Sequence, residues 1–142
     1  MNVSETWFAE IESTVFTDVQ YDLKTKPNAP FPNLNCTTVN VDDTLSKFPT
    51  MYLHELPSVE VGMDLTNRTV NAIRCTIEIQ VFSNKSEQEV RKILAHATLV
   101  MKGLEFNVAA FPDPLTGNKI ASGVARYTRI IGNGDKIVTG AE

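Results

Sequence analysis

The sequence predicts an α+β fold: a mainly antiparallel sheet of about four to five strands with two helices packed on one face, in the order α-β-β-β-α-β-β. Two helical apolar stripes, over 4–24 and 86–104, stand far apart. The clearest strand pattern lies between them, and strands cluster instead of alternating one by one with helices. That order disfavours a parallel, doubly wound sheet. At 142 residues the chain matches one domain, which buries roughly two-thirds of the surface its unfolded form exposes.

In the first helix Trp7, Phe8, Ile11, Val15, Phe16, Val19 and Leu23 recur every three or four residues, so one wide stripe is apolar. Glu5, Glu10, Glu12, Asp18 and Asp22 turn away from it. Asn2 or Ser4 is placed to cap the start. Pro27 must end the helix, because its ring removes a donor and disfavours helix in the residue before it. Two short strands are expected at 36–41 and 50–56, with Asp42-Asp43-Thr44 as the turn of a hairpin. Pro49 and Pro57 bracket the second and suggest an edge or an abrupt exit.

From Val70 to Ser83, Ile73, Cys75, Ile77, Ile79 and Val81 alternate with Arg74, Thr76, Glu78 and Gln80. Period two sends the first set to the core and makes this strand the expected sheet centre. Ser86-Glu87-Gln88-Glu89 is a capping box opening the second helix, whose stripe is Val90, Ile93, Leu94, Ala97, Val100, Met101 and Leu104. Gly103 stands where a left-handed terminating residue is wanted. Two last strands, 105–110 and 122–131, flank the turn-rich 111–118, and a glycine-rich, flexible or partner-ordered tail is expected from about 132.

Composition narrows the function. With 42% hydrophobic and 21% charged residues the chain is an ordinary globular domain, and its net charge of −4 argues against binding nucleic acid through a basic face. No apolar run reaches the ~20 residues of a membrane span, and the first residues do not read as a signal peptide, so a cytoplasmic setting is expected. In that compartment Cys36 and Cys75 should stay reduced, as small core residues. Sequons at Asn2, Asn35, Asn67 and Asn84 are then chance matches.

No catalytic motif emerges. His54-Glu55 lacks the second histidine of a zinc-protease helix, since position 58 is serine. His96 has no ligand-type residue at metal spacing and reads as a helix-surface or boundary residue. Asp42 and Asp43, adjacent in the chain, cannot chelate together without a bend. Gly132-Asn133-Gly134-Asp135 has neither the lysine nor the helix of a phosphate loop. No catalytic, cofactor-binding or metal residue is assigned.

The polar side of the strands stands out instead. Arg74, Glu78 and Gln80 on one strand and Arg126 and Thr128 on another make either a solvated sheet face or a face or edge completed by a neighbouring copy. In the second case Arg126 or Arg129 would meet Asp64, Glu60 or Glu78 across subunits. The last strand, ending in a glycine-rich exit, suits an edge that meets another chain.

Phe48-Pro49-x-x-Tyr52-Leu53-His54-Glu55-Leu56-Pro57, Gly62-Met63-Asp64-Leu65 and Val124-Ala125-Arg126-Tyr127-x-Arg129-Ile130-Ile131-Gly132-x-Gly134-Asp135 together resemble the tail terminator or tail completion proteins of long-tailed bacteriophages, in the version from phages of Gram-positive hosts. The resemblance implies a structural virion protein of the tail or neck, assembled in the host cytoplasm as a ring, usually of six copies. Such a ring caps the head-proximal end of the tail tube and stops its growth. It joins the tube to the head connector, and DNA passes through its lumen without sequence-specific binding. Its partners are its own copies, the tail tube protein and the connector or stopper protein, with no membrane, cofactor or turnover. The strand ending at Ile131 and the tail through Asp135 would then lie at a subunit or ring contact. A head-completion or stopper subunit of the neck and a small-ligand binding module are the alternatives.

Overall fold

The computed structural model describes residues 6–39, 47–62, 69–110, 115–116 and 120–139. The first helical stretch is a 3-10 turn Trp7–Glu10, helix α1 Ile11–Gln20 and a π-turn Tyr21–Thr25. Its buried stripe is Trp7, Ile11, Val15, Val19 and Leu23, as the spacing predicts. The Trp7 indole donates to the carbonyl of Val70 at 3.0 Å, which pins the start of the stretch to the sheet. The expected cap residues Asn2 and Ser4 lie outside the described residues.

The strands are β1 Asn35–Thr37, β2 Thr50–Val61, β3 Ala72–Ser83, β4 Asn107–Ala110, β5 Leu115–Thr116 and β6 Ala121–Gly132. They form one mixed sheet in the order β1-β2-β3-β6-β4, with β5 pairing the start of β6. β3 is central, as its alternation predicts. Helix α2, Glu87–Gly103, and α1 lie on the same side of the sheet, over the core of Met51, Leu53, Ile77, Ile79, Ala125 and Tyr127.

Three pairings depart from expectation. β1 runs parallel to β2, with Asn35 opposite Thr50, where a hairpin was expected. A parallel pair needs roughly a dozen connecting residues, which 38–49 supply, and the expected turn at 42–44 lies outside the described residues. β2 continues past Pro57 to Val61 through a register shift between Leu56 and Val59. Here β2 has lost its β1 neighbour, so a residue without an N–H removes no ladder bond. β6 is interior where β4 and β5 pair it, at 126–128 and 121–122, rather than an edge along its whole length, while 129–132 pairs β3 alone among the described strands.

The helix ends also differ in detail. Ser86 Oγ accepts from Glu89 N at 3.1 Å, but the Glu89 carboxylate bonds Ser83 Oγ instead of closing the box. Ser83 Oγ in turn accepts from Lys85 N and Ser86 N. Gly103 is the last helical residue, and the left-handed position falls to Glu105, at φ 68°. Glu105 N reaches Lys102 O and Phe106 N reaches Met101 O, a Schellman closure with Phe106 and Met101 both buried. A left-handed non-glycine residue costs about 1–2 kcal/mol. Glu105→Gly is therefore expected to raise stability by about 0.5–1 kcal/mol in urea unfolding. An unchanged or lowered midpoint would mean that the Glu105 carboxylate, through its contact with Arg129, offsets the strain.

Beyond β6 the chain turns at 133–135 and forms a four-residue helix, α3, Lys136–Thr139. The Asp135 carboxylate accepts from Ile137 N and binds Arg129, so this part of the expected tail folds back on its own domain.

Candidate functional site

The sheet face away from the helices is the candidate site. Strand register lays out its rows: Tyr52, Gln80 and Val124; His54, Glu78 and Arg126; Leu56, Thr76 and Thr128; Val59, Arg74 and Ile130. No described element covers this face. Glu78 is nonetheless only 6% exposed, because its neighbours wrap it. Its carboxylate accepts from Arg126 Nε at 2.8 Å and Gln80 Nε2 at 3.0 Å, and His54 Nε2 lies 3.2 Å away. Tyr52 stacks on His54 with ring centres 4.4 Å apart. His54 Nδ1 is buried without a hydrogen-bond partner. Arg126, by contrast, keeps half its side chain in water.

Arg126 and Glu78 thus form the pair the sequence suggested, but directly opposite one another within one chain, not between subunits. Arg129 points to the helix side, where Nη1 caps the carbonyl of Leu104 at 3.0 Å. Its Nη2 binds Asp135 at 2.6 Å and Glu105 at 3.1 Å. A cation there complements the negative end of α2. Arg129 and Asp135 are therefore engaged within their own domain. Ile131 is fully buried in the core, so its side chain is closed to a neighbour. Glu60 is exposed on β2, on the helix side, beside Glu12 and Glu55 in an open cleft of about 490 Å³. Asp64 lies outside the described residues.

The remaining candidates are also placed. His54 and Glu55 face opposite sides of β2, and among the described residues no group of three His, Cys, Asp or Glu side chains could hold a metal ion. His96 sits on the outer face of α2, edge-on to Phe31. Both thiols are free, with β2 between their strands. No described helix is long and apolar enough to cross a membrane.

Burial pushes the Cys36 thiol up to about 11 from its ordinary 9. Burial and the neighbouring Glu55 carboxylate push Cys75 up further, and burial raises Tyr127 against the opposing Thr98 hydrogen bond. Each group holds its proton more tightly when folded. The stabilisation is complete below about pH 9 and is lost as pH rises through the folded values. Stability should stay level from pH 7 to 8.5 and fall beyond, and a thiol reagent at pH 8 should label both cysteines only after denaturation. Rapid native labelling would contradict the burial.

Sequence reasoning missed the row of Val59, Arg74 and Ile130. Val59 is 60% and Ile130 54% exposed, on either side of the exposed Arg74. Arg74 has no ion pair among the described residues. Alternation alone assigned Arg74 to this face, whereas its two apolar neighbours follow only from the register and the β2 bulge. The sequence matches no protein-family model, and no curated protein matches it significantly.

Proposed function

We propose that this chain is a structural virion subunit which forms a ring with its own copies, caps the head-proximal end of a phage tail tube, ends its growth and joins it to the head connector. One observation supports this reading most. A two-layer domain leaves a whole sheet face without a described covering element, and that face carries exposed Val59 and Ile130. Two large apolar side chains flanking an arginine in one row of an open sheet face suit a contact with another chain, whose burial would remove both from water. The charged groups at its centre fit the same reading, because Arg126 on β6 and Gln80 on β3 both bond the Glu78 carboxylate and engage it within its own sheet. In this reading the protein works by shape and turns over no substrate.

Deletion of the gene from a phage that carries it, followed by electron microscopy of the lysate, tests the proposal. Overlong tails without heads are expected. Normal tails beside empty or leaking heads would assign the chain to the neck as a stopper, and unaltered particles would refute both roles.

A further inference from the structure

We infer that the row of Val59, Arg74 and Ile130 docks into the cleft between the first helical stretch and α2 of a second copy, in a head-to-tail contact. The inference rests on the ring reading above and adds the two surfaces that meet.

The sheet edges direct the contact to the faces. β1 covers only Thr50–Tyr52 of β2, so Leu53–Val61 forms an edge along which another strand could pair. That edge is blocked: Glu12 Oε2 takes Glu55 N at 2.8 Å, Pro57 has no N–H, and the bulge follows. At the other side β4 is four residues long and irregular between Val108 and Ala110. Along β2 and β4 copies are thus poorly served by extending the sheet.

The two faces complement each other. On the open sheet face the acid, Glu78, is buried and committed, which leaves Arg74 as exposed positive charge between two exposed apolar side chains. On the helix side a cleft of about 650 Å³ is bordered by Tyr21 and Leu99, 49% and 70% exposed, by Asp18 and Asp22, and by Lys26 and His96. Asp22 meets Lys26 only at 4.0 Å with both half in water, and Asp18 has no ion pair among the described residues. Burial and the nearby Asp22 raise Asp18, as expected for a carboxylate lacking a cation. Strands lie about 4.8 Å apart, so a row across three of them is about 10 Å wide, a size suited to such a cleft. A two-fold contact of the sheet faces centred on this row would set Arg74 against Arg74. Joining opposite layers is heterologous and closes into a ring when the rotation allows.

The test uses exposed positions. A size-tagged Ile130→Cys chain is mixed with an untagged Leu99→Cys chain and oxidised, with the native chain as the control for Cys36 and Cys75. The mixed disulfide is expected to dominate. Arg74→Glu should weaken self-association at least tenfold in sedimentation velocity, and adding Asp18→Lys with Asp22→Lys should restore most of it. Near-ultraviolet circular dichroism verifies folding. Disulfides between like chains only, or no cross-link at the highest soluble concentration, would overturn the contact. Assembly indifferent to Arg74→Glu, with rings still on tails, would overturn this contact while leaving the ring reading in place. The mixed cross-link in a chain absent from tails would refute the ring reading alone.

Discussion

Leu94→Ala is expected to cost about 2–5 kcal/mol and to lower the thermal midpoint by roughly 10 °C. Leu94 is fully buried where α2 meets the sheet, so truncation loses the transfer of its side chain from water and leaves a cavity in a close-packed layer. Domains of this size are stable by roughly 5–15 kcal/mol, so a loss of this size is a large share of the total. Ser86→Ala, at the start of the same helix, should cost only about 0.5–1 kcal/mol. It removes the bond to Glu89 N, while Ser83 Oγ goes on serving Lys85 N and Ser86 N. Chemical denaturation of the two variants side by side decides the matter. Equal losses would mean that capping, rather than packing, holds α2.

The second large effect is expected at Arg126. Although this arginine is half in water, Arg126→Ala leaves a nearly buried Glu78 carboxylate without its cation. Hydrogen bonds to charged groups contribute about 1.5–3 kcal/mol, and a buried charge stripped of its partner is costlier than a broken surface pair. Gln80 remains as a donor and His54 Nε2 stays 3.2 Å away, so a loss of about 2 kcal/mol is expected, toward the lower end of that range. Adding Glu78→Gln should recover most of it, since a neutral amide needs no counter-charge. A double-mutant cycle by urea unfolding measures the coupling. Additive losses would show that the two charges do not depend on each other.

Both predictions show how far local pattern carries. Leu94 was identifiable as core from spacing alone, because helical period reports which side chains share a face whatever the face meets. The same holds for Ile77 and Ile79 on β3. The Arg126–Glu78 pair was legible as a pair of residue types, but not as an intrachain one. That depended on β6 lying beside β3 in one particular register. Arg129 was read as an interface group, and its place at the end of α2 followed from Leu104 and Asp135 converging on it. No window of sequence contains that convergence.

The amino-acid order by itself thus determined the two long helices, the central strand and the core residues those three elements supply, since each is written as a local period of apolar residues. Leu34, Met51, Leu53, Phe106, Tyr127 and Ile131, by contrast, were assigned to the core only by the fold. Only the folded chain decided that β1 runs parallel, that β6 is interior where β4 and β5 pair it, and that Val59, Arg74 and Ile130 share one row. Those outcomes depend on which distant segments pair and on a bulge at Pro57, and pairing energy is spread over contacts between residues far apart in the chain.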